Sequence, residues 1–126
     1  MDVKDKVVIV TGGGRGIGFG ISTAYAKAGA KLVITGRTEA TLLEAKKKLE
    51  AYGTSVLTVT ADGADEAAIK NVIAKTVEAY GKIDAVVNNA QASKSGKMLV
   101  DHTKEDFDLA IYSGLYATFF YMREAF

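Results

Sequence analysis

Apolar and polar positions change their period several times along the chain. Val7-Val8-Ile9-Val10 is a short continuous apolar run, which predicts a strand buried on both faces. A glycine-rich stretch, Thr11 to Gly20, follows it. Ile17, Ile21, Ala24 and Ala28 then recur at helical spacing without proline, predicting a first helix with Gly29 as its stop. Lys31 to Gly36 reads as a second strand. Glu39 to Tyr52 predicts a second helix, with Leu42, Ala45 and Leu49 as its apolar stripe, Glu44 and Lys48 as an i,i+4 pair and Gly53 after it. Lys46-Lys47-Lys48 falls on its solvated side. Ser55 to Thr60 alternates as a third strand. Asp65 can cap a third helix carrying Ile69, Val72, Ile73, Thr76, Val77 and Tyr80 on one side, ended by Gly81. Ile83 to Asn88 predicts a fourth strand, Gln91 to Lys97 a polar loop, and Lys104 onward a long final helix capped by Thr103.

Strands alternating with helices make an α/β fold, a parallel sheet with helices on both faces. With 126 residues, 48% of them hydrophobic, one domain can bury a real core. The 16 basic and 15 acidic side chains are interspersed at a net charge of +1, so nothing favours nucleic acid or an anionic membrane as partner. The absence of cysteine excludes disulfides and thiolate metal sites. No apolar run approaches the roughly 20 residues of a membrane span, and Met1 to Lys6 lacks the apolar core of a signal peptide. The expected location is cytoplasmic. The single histidine, His102, stands in a polar loop and has no metal-ligating companions, so no metal site is expected.

Chemistry concentrates in T-G-G-G-R-G-I-G-F-G, residues 11–20. Glycines between a buried strand and a helix let the backbone turn sharply, let an anion approach without meeting a Cβ, and present the helix N-terminus to it. A flexible loop without ligand would not need that strand and that helix. The G-x-G-x-x-G pattern fails, because its third glycine would fall on Phe19. The spacing that fits is T-G-x-x-x-G-x-G, with Thr11, Gly12, Gly16 and Gly18. In this motif the sequence resembles the short-chain dehydrogenase/reductase family.

The resemblance implies a Rossmann-like sheet of order 3-2-1-4 that moves hydride between NAD(H) or NADP(H) and a carbonyl or alcohol. Its cofactor cleft would lie at the carboxyl ends of the strands. Thr11, Gly12, Gly14, Arg15, Gly16, Ile17 and Gly18 would line the phosphate side, with Arg37, Asp62, Gly63, Asn89 and Ala90 around it. Gly36 stands where an NAD-type site carries a carboxylate, and Arg15 and Arg37 suit a 2′-phosphate, so NADP(H) is favoured over NAD(H). Asp62 matches a family aspartate that accepts from the adenine amino group. The sequence departs from the family at Gly63, usually apolar, at Gln91, which ends Asn88-Asn89-Ala90 in place of glycine, and at Gly114, where the family has a helix asparagine. A side chain at Gln91 would crowd the cofactor if its backbone needs positive φ.

The matches Thr103 to Asp108 and Thr118-Phe119-Phe120 continue the resemblance into the final helix, so it spans the N-terminal half of a family domain and lacks the C-terminal half. Four residues after Tyr25, Tyr52, Tyr80, Tyr112, Tyr116 and Tyr121 come Gly29, Val56, Asp84, Tyr116, Phe120 and Ala125. The family's Tyr-x-x-x-Lys is therefore missing, no catalytic residue is assigned, and these residues alone should be inactive. The alternative is a non-catalytic NADP-binding or self-assembling module. Aromatic and aliphatic residues around most of the 106–126 helix, together with an open fourth-strand edge, predict a homo-oligomer.

Overall fold

A computed structural model describes residues 2–126. Four parallel strands, β1 (Val7–Thr11), β2 (Lys31–Gly36), β3 (Val56–Thr60) and β4 (Ala85–Val87), lie in the order β3-β2-β1-β4. The helices between them are α1 (Gly16–Lys27), α2 (Glu39–Glu50) and α3 (Glu66–Tyr80). After β4 come a 3₁₀ turn (Leu99–Asp101), α4 (Lys104–Ala110), a π-helical segment (Ile111–Tyr116) and α5 (Ala117–Ala125).

The apolar run of β1 is central and wholly buried because both faces are covered. Val8, Val10, Leu32 and Ile34 meet Ala26 of α1 and Leu42, Ala45 and Leu49 of α2. On the opposite face Ile9, Val33 and Val59 meet Ile69 and Val72 of α3 and Ala117 and Tyr121 of α5. Successive side chains of one strand thus feed two cores. The Asp65 carboxylate caps α3 by accepting from the Ala67 and Ala68 amides, and Thr103 and Asp106 form a reciprocal capping box on α4.

Three elements differ from the periodicity. The buried face of α1 is Gly18, Ser22 and Ala26, whereas Ile17, Ala24 and Ala28 are exposed. This helix lies too close to the sheet for large side chains, so its packing face is small rather than greasy. β4 has three residues instead of six, and Asp84 just before it binds the start of β1 through both backbone and side chain: its amide donates to the Val7 carbonyl and its carboxylate accepts from the Val7 amide, at 2.9 and 2.8 Å. The final helix widens into π geometry around Gly114 instead of running as one α-helix. No helix among the described residues is long and apolar enough to cross a membrane.

Candidate functional site

The strand order reverses between β1 and β4, and at their carboxyl ends a cleft of about 970 Å³ opens. All twelve residues singled out in the sequence line it. The turn leaving β1 sets its floor. Gly12 has φ +64°, and a Cβ there would meet Asn89 Nδ2 at 3.1 Å and Ala90 Cα at 3.2 Å. A Cβ on Gly18 would stand 2.0 Å from the Gly12 carbonyl oxygen. That contact is impossible, so Gly18 sets how near α1 comes to the turn. Arg15 precedes α1 without capping it through its side chain, and the first turn carries no acid. The opening amides of the helix are left to whatever anion occupies the cleft.

The side chains of Thr11 and Asn89 face the protein. Thr11 is buried; its hydroxyl accepts from the Asn89 and Ala90 amides at 3.0 and 2.9 Å and donates to the Val87 carbonyl at 3.3 Å. Asn89 Nδ2 donates back to the Thr11 carbonyl at 3.1 Å. These bonds lock the turn after β1 to the loop after β4. Two serines that the sequence reading passed over complete the frame. Buried Ser22 donates to the Gly13 carbonyl at 3.0 Å, and Ser113 accepts from the Ala92 amide at 2.8 Å. A small residue on an otherwise apolar helical face was the only signal for either.

On the β2 and β3 side, Gly36, Arg37 and Asp62 border the cleft with Arg15 opposite. Ion pairs among the described residues involve Lys48, Lys70, Lys82, Lys97, Lys104 and Arg123, and neither cleft arginine. Asp62 Oδ1 accepts from the Ala64 amide at 2.9 Å, which fixes the carboxylate in a turn at the border of the cleft. Gly63 has a structural reason: a Cβ there would stand 3.2 Å from the Ala117 Cβ, so the glycine lets the final helix close over this end.

On the β4 side stand Gln91, Ala92, Tyr112 and Ser113, with Glu105 and Asp108 beyond. Among the described residues only Asp5 has positive φ without being glycine, so Gln91 carries no left-handed strain and that route to crowding is removed. Tyr121, 2% exposed, also borders the cleft. Burial pushes its phenol above the usual range, against a smaller downward pull from its hydrogen bond to Thr35, so it remains protonated at neutral pH and serves as a wall.

The model of the family described as short chain dehydrogenase matches residues 6–126. A 12alpha-hydroxysteroid dehydrogenase from a Clostridium species is 53% identical over 96% of this chain and 49% of its own length. Sepiapterin reductase from Chlorobaculum tepidum is 36% identical over 95% of the chain and 52% of its own. Among solved structures, a short chain dehydrogenase from Burkholderia cenocepacia in complex with NADP superposes with TM-score 0.91 at 32% identity, covering 99% of this chain and 51% of that one. L-Sorbose reductase from Gluconobacter frateurii, complexed with NADPH and L-sorbose, gives TM-score 0.92 at 29% identity over 99% and 48%. The chain spans about half the length of each of these relatives.

Proposed function

The chain belongs to the short-chain dehydrogenase family, and from that premise we propose that it is the dinucleotide-holding half of an NADP(H)-dependent oxidoreductase acting on an alcohol or carbonyl. The observation that carries the reading is the cleft at the β1/β4 switch point, floored by a turn that excludes Cβ atoms and flanked by two arginines without acidic partners. The donor set fits the cofactor. Amides at the start of α1 would take the diphosphate, Arg15 and Arg37 the 2′-phosphate, and the Asp62 carboxylate the adenine amino group. A bound nicotinamide would supply the hydride. This chain's residues bind and orient.

Proton delivery is not built into these 126 residues, because no tyrosine has a lysine four positions on. We therefore assign cofactor binding to this chain, and no turnover to it by itself. The exposed aromatic face of the final helix favours a second property, self-association. Titration calorimetry with NADPH and NADH tests the cofactor reading. Tighter binding of NADPH, lost in part on Arg37→Ala, is expected; equal affinities that Arg37→Ala leaves unchanged would overturn the 2′-phosphate assignment.

A further inference from the structure

The final helix reaches the loop after β4 through one buried side chain. Ser113, 9% exposed, lies in the π-helical segment, and its hydroxyl accepts from the Ala92 amide at 2.8 Å. Its single proton stands between the Leu109 carbonyl at 2.6 Å and the Ala92 carbonyl at 2.9 Å. Among the described residues no other side chain of this helix bonds to residues 89–92, and Gly114, beside Gln91, has none to offer. From the opposite side the Thr11 hydroxyl takes the Asn89 and Ala90 amides. Gln91 and Ala92 line the cleft, so two hydroxyls hold its β4 wall, one from the sheet and one from the helix. The loop is tied once more at Lys97, to Asp106 about two turns earlier on the helix. Neither member of that ion pair borders the cleft, and residues 93–96 between the two ties are exposed.

We infer that Ser113 is a positioning residue for nucleotide binding, its hydroxyl fixing the Ala92 backbone so that the β4 wall of the cleft is in place before a ligand arrives. The inference rests on the dinucleotide reading above. Without the hydroxyl, the Ala92 amide loses its partner, and the stretch from Gln91 onward is held only by Thr11 before it and by the pair at Lys97 beyond it. A ligand would then have to order that wall as it bound, at the expense of affinity. Sheet order predicts which ligand is affected. Arg37 and Asp62 follow β2 and β3 on one side of β1, whereas Ala92 follows β4 on the other. A ligand confined to the Arg37 side makes no demand on the wall; one that spans the switch point does.

The test titrates the full chain with NADPH and with adenosine 2′,5′-bisphosphate, which carries only the adenosine end. Ser113→Ala should weaken NADPH binding by about three- to tenfold, the range of one lost hydrogen bond, and leave the bisphosphate affinity within about twofold. Ser113→Thr and Ser113→Val have the same shape and differ only in the hydroxyl, so the threonine variant should bind NADPH at least about threefold more tightly than the valine variant. Exchange of the Ala92 amide, followed by NMR without ligand, should be faster in the alanine and valine variants than in the threonine variant. Lys97→Gln loosens the far end of the same loop and should leave both affinities within about twofold. Unchanged NADPH affinity in Ser113→Ala overturns the inference, as does an equal loss for the two ligands, equal NADPH affinities in the Thr and Val variants, or a loss in Lys97→Gln as large as that in Ser113→Ala. If the unaltered chain does not bind NADPH, the dinucleotide reading falls and the inference with it; NADPH binding that Ser113→Ala leaves intact rejects the inference alone.

Discussion

At the residue scale, the cleft depends on groups whose value lies in what they hold rather than in what they present. The Thr11 hydroxyl satisfies two amides of the loop after β4 from a buried position. Thr11→Val keeps the shape and leaves both donors without that partner, so unfolding in urea should show a loss of about 2 kcal/mol. Asp106 is a second such group. Its bond from the Lys97 ammonium at 2.7 Å, then that from the Thr103 amide, hold its carboxyl down at about 2. A depressed folded-state value stabilises the folded chain above the unfolded carboxylate range near 4 and loses that effect as pH falls toward 2. Melting temperature followed from pH 5 to pH 2 should therefore decline more steeply for the natural chain than for Asp106→Asn. Parallel curves would remove Asp106 from the acid response. Of these two devices, the Thr103 cap was legible in sequence. The Thr11 latch was not: a threonine at a strand end reads equally well as a ligand contact, and only the register of β1 against β4 brings Asn89 beneath its oxygen.

Among elements, β1, the glycine turn and α1 form one unit whose geometry is set by absent side chains. Two glycines two positions apart in α1 show this. Gly18 has no room, whereas a Cβ on Gly20 would meet nothing within 4 Å. Gly20→Ala should stabilise the chain by about 0.5 to 1 kcal/mol through helix propensity alone. Gly18→Ala should destabilise it by about 1 to 3 kcal/mol, because α1 must lift from the turn, and it should weaken nucleotide binding in the same calorimetric titration. Chemical denaturation of the two variants side by side measures the contrast. Hydrophobic periodicity located this helix, but of its marker residues only Ile21 packs against the core, since a search for apolar spacing passes over a face made of Gly18, Ser22 and Ala26. Regular alternation was read more faithfully in α2 and α3, where leucine, isoleucine and valine do reach the core. The π-helical turns lay outside such reading altogether. They set Ser113 over Gly63 and Gly114 beside Gln91, neighbours that the sequence presents as unrelated.

At the scale of the whole molecule, the final helix holds a surface that one copy of the chain does not bury. Its inner side is narrow, with Asp106, Ser113, Ala117 and Tyr121 buried. Its outer side exposes Phe107, Tyr112, Leu115, Tyr116, Phe119 and Met122, and stacks Tyr112 on Tyr116 at 5.0 Å between centroids. Arg123 covers Phe119 and Phe120 at 5.4 and 5.3 Å, which shields only one end of the row. The β4 edge lies beside it with one side of its backbone unpaired in the sheet. Six large apolar side chains on one helix exceed the scattered exposure normal for a monomer. A second copy of the same helix offers the matching surface, and two-fold pairing would bury both at once. Light scattering at tens of micromolar should therefore give a mass above the 13.3 kDa of one chain. Tyr116→Glu, which puts a charge at the middle of the stacked row without touching the cleft floor, should return the mass toward the monomer while leaving NADPH affinity within about twofold, since an exposed side chain away from the β1 turn carries none of the cofactor contacts. A monomer in the unaltered chain, or an oligomer indifferent to Tyr116→Glu, would assign that aromatic surface to some other role.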